Sequence, residues 1–451
     1  MLLWLRGIPA GGNPFRTSPI GILGLAAGLL LGGASVASAQ APMTADQAVT
    51  VALQRSPSVL SAEQDVKVST GVLTQAWSGV LPNLSMSHSY DHSNSRGTRV
   101  FEGVPFASTS DIGNYSGRLS LSQTIVSFPA WAGIRSASAA REATRGNTQA
   151  TRAAIALQAS QQFYTLLRAI KLATVARQTL DLTQSQLKRT QALFELGSVA
   201  KGDVLKQQVQ VSQAQLDEIN SRSAIEVERA RLVGVLGLDP GSRLEIDTTL
   251  TETTLPVDSA AVWRDAFANR PELASARASL SSARASLGGA QGRRYPSLSG
   301  GLGYSYGITD HFPKSFREID DNSSRTVSLG LSVPIFDGRN ARGAIQQARA
   351  RKLQAEYEVR SQELAVGVDV QAALQAASQA RERIQVTRDE QAAAEEDLKL
   401  SQEKYNVGSA TVLELIDAQV ALTRARSDYI SALADAQVAQ MQLRRARGER
   451  F

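Results

Sequence analysis

The sequence predicts an α+β membrane protein in which long α-helices pack as coiled coils and a few β-strands contribute to a barrel. Three observations lead to this fold class. An apolar segment near the N-terminus is typical of export, four stretches alternate like membrane strands, and two helical stretches are far longer than a globular domain uses. The 451 residues also divide into two similar halves.

The N-terminal segment has the order of a signal peptide. Arg6 and Arg16 precede the apolar run 20–33, and Ala37-Ser38-Ala39 fits a signal-peptidase site. The run is shorter than the roughly 20 apolar residues that a spanning helix needs. We therefore expect residues 1–39 to be removed as a signal peptide, with a retained membrane anchor as the alternative.

A repeated turn defines the two halves. FELGSVAKGDVLKQQ at 194–208 and YNVGSATVLELIDAQ at 405–419 align without a gap, and each copy carries a Gly-Ser break. A repeat of this length predicts two similar structural units. We expect a first repeat at 40–237, a linker beside the helices at 238–258 and a second repeat at 259–451.

Four stretches alternate apolar with small polar residues, which predicts strands with one apolar and one polar face. The expected strand pairs lie at about 83–127 and 297–336, and each pair is joined by a polar loop, 93–114 or 307–323. A half-buried strand of a soluble sheet shows the same alternation, but two such pairs in an exported helical chain favour a transmembrane barrel. An interfacial aromatic girdle would fall at Phe128, Trp131 and Phe336.

The stretches from about 130 to 196 and from about 341 to 407 contain almost no Gly or Pro. As helices they would each be about 100 Å long and would turn back at tips near residues 197 and 408. Apolar positions spaced by seven predict left-handed coiled-coil packing. The two series are Leu166, Ala173, Leu180, Leu187 and Phe194, and Leu415, Leu422, Tyr429, Ala436 and Leu443.

Four strands per chain cannot close a membrane barrel, since about eight strands is the smallest usual number. Open sheet edges are not tolerated in lipid because their backbone groups have no hydrogen-bond partners there. Several copies must therefore share one barrel. Two copies would give eight strands and three would give twelve, and the residues alone do not choose between them.

Together these features resemble the TolC family of outer-membrane channel proteins. The likeness covers the mature chain and rests on the repeat, on strand pairs followed by long helices, and on two motifs. These are LSVPIFDGR at 331–339 and the Tyr-x-Val-Gly-Ser turn that begins at Tyr405. The resemblance implies a homotrimer with a shared twelve-stranded β-barrel and a long α-helical coiled-coil tunnel that crosses the periplasm.

The function that this resemblance implies is an exit duct in the outer membrane. It would conduct substrates passively through a gated tunnel, as part of a tripartite efflux pump or a type I secretion system. The implied partners are a periplasmic adaptor (a membrane fusion protein), an inner-membrane transporter and outer-membrane lipid. The alternative is a structural or adhesive coiled-coil protein of the envelope without a conduit.

Catalytic chemistry has little support in the composition. The chain has no Cys and only three His, and no phosphate-binding, dinucleotide or metal motif is complete. We therefore expect no enzymatic activity, no cofactor, no metal site and no nucleic-acid partner.

The resemblance assigns Glu414 and Asp417 to the periplasmic aperture. They are three residues apart and so share one helix face, and no Lys or Arg stands between Lys404 and Arg424. In a trimer six carboxylates would surround a narrow axis, where mutual repulsion would raise some pKa values or recruit cations. A solvated acidic helix face is the alternative interpretation.

The first copy of the tip has mixed charge, since its acid, Asp203, lies close to Lys201 and Lys206. Phe194 and Tyr405 are expected to pack at the tips. The family closes its tips through an arginine where this chain has Ala410, so the closing network is not carried over.

Both turns match the family's adaptor-docking sites, at Gly197 and Ser198 and at Gly408 and Ser409. Small residues allow a partner backbone to approach closely. The same residues also fit a helix C-cap followed by a serine N-cap, which requires no partner.

Overall fold

The structure, a computed structural model, describes residues 42–252 and 258–451, without the side chains of Phe101 and Phe106. The predicted signal peptide lies outside these residues. In chain order the described elements are α1 (Ala45–Arg55), α2 (Pro57–Ser78), β1 (Asn83–Phe101), β2 (Val104–Val126), α3 (Phe128–Glu195), α4 (Lys201–Val235), α5 (Ser259–Asn269), α6 (Pro271–Gly292), β3 (Ser297–Thr309), α7 (Phe316–Asp321), β4 (Ser323–Ser332), α8 (Asn340–Asn406) and α9 (Val412–Ala446).

The strands form one antiparallel sheet in the order β1-β2-β3-β4. Its register aligns apolar positions across all four strands, because Leu121 lies opposite Leu84 and Leu302, and Leu302 lies opposite Val327. The other face is polar, and the hydroxyls of Ser85 and Ser120 lie 2.8 Å apart on it. The predicted alternation is therefore confirmed.

The predicted loop at 93–114 is wrong. β1 and β2 continue through it as a paired ribbon that ends in a two-residue turn at Glu102 and Gly103. Both turn residues have positive φ, as a tight type I′ hairpin requires. The polar composition that indicated a loop belongs to the outer halves of these strands, which are mostly exposed on both faces of the ribbon.

The second loop, predicted at 307–323, is shorter than expected and contains a short helix. β3 continues to Thr309, and α7 occupies 316–321. Ser315 caps this short helix by accepting a hydrogen bond from the Glu318 N–H.

Two very long helices dominate the described helical region, as predicted. α3 has 68 residues and α8 has 67, which corresponds to about 100 Å each. α3 packs against α4 and α9, and α8 packs against α9, so the hairpins lie side by side in the order α4-α3-α9-α8. Near the strands the row is instead α2-α3-α6-α8. No helix within the described residues has the length and hydropathy to cross a membrane.

Two glycines lie at the level along the helices where α4 and α9, of the tip row, are replaced by α2 and α6, of the strand-side row. Gly237 (φ 66°) ends the α4 segment, and a Cβ there would lie 2.6 Å from the Arg55 carbonyl oxygen, at the α1–α2 joint. Gly448 (φ 74°) follows the end of α9 in the same way, and a Cβ there would lie 2.9 Å from the Arg270 nitrogen at the α5–α6 joint. Each returning helix therefore abuts a helix joint, once in each half of the chain.

The seven-residue series behaves differently in the two hairpins. In α9 Leu415, Leu422, Ala436 and Leu443 are buried, and Tyr429 is partly buried. Of the α3 series only Leu166 is fully buried. Further along α3 the buried positions are instead polar, at Thr183, Gln186 and Thr190. The heptad positions are therefore confirmed as core positions in α9, whereas in the α3 series Ala173, Leu180 and Leu187 are only partly buried in the single chain and Phe194 is exposed.

Aromatic side chains collect where the strands meet the helices. The rings of Trp131 and Trp77 meet edge-to-face at 6.0 Å, and those of Phe128 and Tyr295 lie 4.9 Å apart. In the LSVPIFDGR motif Asp337 caps α8, because its carboxylate accepts hydrogen bonds from the Arg339 and Ala341 N–H groups.

The glycine junction makes a prediction about stability. Gly241 also has positive φ, but the space around its Cβ position is open. Gly241→Ala should therefore cost about 1–2 kcal/mol through backbone strain alone. Gly237→Ala should cost about 1–3 kcal/mol more, because the new methyl group also pushes on the Arg55 carbonyl. Melting of the helical circular dichroism signal in detergent measures both. Equal melting temperatures for the two variants would contradict the close packing at this junction.

Candidate functional site at the hairpin tips

The first tip turn is built by a glycine in the left-handed conformation. Gly197 has φ 74°, and its N–H donates to the Phe194 carbonyl at 2.9 Å. The Ser198 N–H donates to the Leu193 carbonyl at 2.8 Å. This pair of hydrogen bonds is a Schellman C-cap, in which glycine is favoured because a Cβ would be strained.

The second tip repeats this geometry. Gly408 has φ 72°, the Ser409 N–H donates to the Lys404 carbonyl at 2.9 Å, and the Ser409 hydroxyl donates to the same carbonyl at 3.1 Å. A Cβ at either tip glycine would meet nothing within 4 Å. Both turns therefore present open backbone to the surroundings.

The helix caps agree with the C-cap interpretation but not with the serine N-caps. The N-cap of α4 is Ala200, which has no side-chain cap, and the N-cap of α9 is Thr411. Each serine completes the C-cap of the preceding helix and therefore lies too early to begin the next.

Glu414 has a structural role that the sequence interpretation missed. It forms a capping box with Thr411, whose hydroxyl accepts the Glu414 N–H at 3.3 Å and lies 3.1 Å from the Glu414 carboxylate. The Thr-x-x-Glu spacing that produces this box is visible in the sequence. Thr411 thereby fixes the Glu414 side chain at the start of α9.

Asp417 lies one turn further along α9 and is exposed, as is Glu414. Neither carboxylate forms an ion pair within the described residues, whereas Asp203 in the first tip lies 3.7 Å from the Lys206 ammonium group. The acidic face of α9 therefore carries uncompensated negative charge. The first tip does not.

An apolar cluster lies beneath the second tip. Its buried members are Leu398, Tyr405, Val412, Leu415, Ile416, Ala418 and Leu422. Ala410 packs against this cluster from the side. Phe194 does not join it and is 42% exposed in the single chain. Where the family has an arginine, this chain therefore has an apolar contact.

A layer of buried polar side chains lies in the tip half of the helices. Gln186, Gln207 and Gln419 are almost fully buried, and Gln207 is 0% exposed. Within the described residues neither amide atom of Gln207 meets a hydrogen-bond partner. The Tyr405 hydroxyl lies 3.4 Å from Thr190 at a similar level. Sequence reasoning missed this layer because glutamine usually lies on the solvated face of a helix.

Ion pairs brace the helices behind the tip. The Arg426 guanidinium, donating to Glu395 at 3.0 Å, and secondarily the Gln391 amide hold the pKa of Glu395 below its usual range. Further from the tip the Asp435 carboxylate forms ion pairs with the guanidinium groups of Arg383 at 2.8 Å and Arg168 at 3.5 Å. These two ion pairs tie α9 to α8 and α3. Among the described residues no three acidic or His side chains are grouped to hold a metal.

The comparisons with known proteins agree with this architecture. The family model described as outer membrane efflux protein matches residues 48–238 and 262–449, which is most of the chain. The chain belongs to the outer membrane efflux protein family. It is 23% identical to outer membrane protein TolC of Escherichia coli K12 over 83% of this chain and 76% of that protein.

Two further relatives support the assignment. The chain is 26% identical to alkaline protease secretion protein AprF of Pseudomonas aeruginosa, over 68% of this chain and 64% of that protein. The crystal structure of CusC superposes with a TM-score of 0.78 at 17% identity, over 90% of this chain and 92% of CusC. The likeness to CusC shows that the fold is the TolC-like channel fold.

Family membership confirms the function and location expected from the sequence. The chain is an outer-membrane efflux protein, a passive exit duct and not an enzyme, located in the outer membrane and extending into the periplasm. The alternative of an envelope protein without a conduit is set aside.

The capping box predicts that charge and structure at Glu414 can be separated. Glu414→Gln keeps a side chain that can complete the box, whereas Thr411→Val removes the cap and should cost about 1 kcal/mol, or about fivefold in local opening. Hydrogen exchange of the amides at 412–415 measures this. Faster exchange in Glu414→Gln than in Thr411→Val would contradict the proposed division of roles.

Proposed function

We propose that three copies of this chain share one twelve-stranded barrel, with the repeats 40–237 and 259–451 each supplying two strands and one helical hairpin to every copy. The observation that carries this proposal is the uncovered sheet. Met86 is 81% exposed and Val327 82% exposed on its apolar face, and β1 and β4 have free edges. A closed barrel in lipid would account for both features. Closure pairs the free edges, and the exposed apolar face contacts hydrocarbon.

The aromatic residues support a membrane position for this sheet. Tyr295 and Phe128 lie at the helix end of this sheet, and Tyr306 lies opposite Ser323, where β4 begins, with its hydroxyl 3.0 Å from the His88 ring. From Tyr295 to Tyr306 the strand covers about 35 Å, or about 25 Å of height when tilted by about 45°. An apolar band between aromatic girdles has this height in outer-membrane barrels.

The outermost helices of each chain carry exposed apolar residues that a neighbouring copy would cover. α4 and α8 end the row of tip helices on either side. On the tip side these exposed apolar residues are Leu205, Val209, Leu216, Ile219 and Val227 on α4, and Val386 and Leu400 on α8; nearer the strands, where α2 ends the row instead of α4, they are Leu60, Val68 and Val72 on α2, and Leu353, Tyr357, Leu364 and Val368 on α8. Packing α4 of one copy against α8 of the next extends the row into a closed tunnel.

At the tunnel tip Glu414 and Asp417 form the aperture of the proposed duct. Their exposure without ion pairs on α9 leaves three copies with six unpaired carboxylates around one axis, which favours cations. The buried polar layer supports gating. The Gln207 amide is buried without a hydrogen-bond partner in the described chain, and burial of an unpartnered amide costs free energy, so closure of the tip half carries a local cost.

The open turns at Gly197, Ser198, Gly408 and Ser409 are the docking points for a periplasmic adaptor in this proposal. Their backbone is uncovered, and no side chain of the described residues fills the space beside the glycines. Through the adaptor an inner-membrane transporter would deliver cargo to the duct, in a tripartite efflux pump or a type I secretion system.

The aperture is tested by ion selectivity in planar lipid bilayers. Glu414→Gln/Asp417→Asn should lower the potassium-to-chloride permeability ratio by about threefold or more, because the ring of carboxylates is neutralised while the cap is kept. The matched control is Asp428→Asn, an α9 acid that lies 3.7 Å from Arg424. Conductance with a reversal potential unchanged by the double variant would contradict the aperture assignment, and the absence of conductance would contradict the duct.

A further inference from the structure

A groove of about 900 Å³ lies where the helices approach the strands. Four helices line it, α2, α3, α6 and α8, mainly with Ala, Ser and Gly. The hydroxyl of Ser136 on α3 lies 3.0 Å from Ser282 and 2.9 Å from Ser286 on α6. The surface between these helices is therefore both small and polar.

The groove faces away from the aromatic girdle. Gly133 lines the groove and lies two residues from Trp131, which places the two on roughly opposite sides of α3. Gln75 also lines the groove and is separated from Trp77 on α2 in the same way. Since interfacial aromatic residues lie on the lipid side, the groove lines the interior of the duct.

The charged residues of this groove are both arginines. Arg293 directly follows α6 as its C-cap residue, and Arg351 lies on α8. Neither forms an ion pair within the described chain. Arg284, further along α6, is by contrast paired with Glu356 at 3.7 Å. The nearest acid along the groove face of α8 is Glu358, which lies two helical turns closer to the tip. The strand end of the interior is therefore positively charged.

The polar face of the sheet continues this pattern. It consists mainly of Ser and Gly, and Arg118 lies on it between Ser87 and Ser305. By register the only other charged positions on this face of the described strands are Asp91 and Arg99, both further out on β1. Arg118 forms no ion pair in the described chain, so the membrane part of the polar face also carries unpaired positive charge.

We propose that the strand-side half of the duct is an anion-binding vestibule, in which Arg293 and Arg351, followed by Arg118, bind phosphate or carboxylate groups of passing molecules. This inference rests on the proposed trimeric duct, in which each arginine occurs three times around the axis. The planar guanidinium fork matches such anions, and a cleft lined by charge of one sign concentrates counter-ions. Charge preference therefore reverses along the duct, from an acidic tip to a basic vestibule.

The vestibule indicates a class of cargo. We expect molecules that carry an anionic group beside an apolar or cationic part. Such molecules can pass the acidic tip through their apolar or cationic part and then bind the vestibule arginines through their anionic group. The arginines hold anions from a wet, open groove, so binding is weak enough for release to the exterior, as conduction requires.

Block of single-channel current by inorganic tripolyphosphate tests the vestibule. Added on the strand side of the bilayer, tripolyphosphate should reduce the current through the wild-type protein. In Arg293→Gln/Arg351→Gln the half-blocking concentration should rise by about tenfold, as expected for losing charge-assisted hydrogen bonds. Arg293→Lys/Arg351→Lys keeps the charge and should retain most of the block.

The matched control is Arg349→Gln, because Arg349 is exposed and lies two residues from Arg351, on the opposite side of α8. Block should be unchanged in this control and in Glu414→Gln/Asp417→Asn. An open channel without block, or block that the arginine pair does not affect, overturns the vestibule and leaves the duct intact. If no current flows through the wild type, the duct proposal fails and the vestibule fails with it.

Discussion

The structure depends on one constraint, which is that a β-sheet in lipid must pair every backbone group and offer hydrocarbon only its apolar face. Here one face of a four-stranded sheet carries an apolar row, Leu84, Leu121, Leu302 and Val327, and the sheet has two unpaired edges. One chain satisfies the face but not the edges. The proposed barrel, shared by several copies, would satisfy both and would place the helical hairpins in a ring.

The helical part follows from this ring. Within each chain α3 is the helix that most others contact, because it packs against α4 and α9 near the tip and against α2 and α6 near the strands. Gly237 and Gly448 set the level at which one pair of neighbours replaces the other. Beyond this level the apolar core around Leu166 gives way to smaller apolar clusters, and buried glutamines lie among them near the tip.

Much of this could be predicted from the sequence because the signals are periodic. Alternation with period two gave the strands, the near-absence of Gly and Pro gave the long helices, and the Gly-Ser repeats gave the tips. The ribbon at 93–114 could not be predicted, because strands surrounded by water on both sides carry no alternation. Helical spacing also failed for Gln186 and Gln207, since spacing predicts burial only for apolar residues. The Thr-x-x-Glu spacing of the capping box at Thr411 and Glu414 is visible in the sequence. It was missed because Glu414 was interpreted only through the aperture role that the family resemblance implies.

The shared barrel is tested most directly by cross-linking β1 of one copy to β4 of the next. The chain has no native Cys, so Ser87→Cys can be combined in turn with Ser324→Cys, Thr326→Cys and Ser328→Cys. Within one chain β1 and β4 are three strand spacings apart, or about 14 Å, which is too far for a disulfide. We expect at least one combination to give, on oxidation in outer membranes, a covalent ladder that ends at three copies. A ladder that ends at two copies, or no intermolecular product from any combination, would contradict the account.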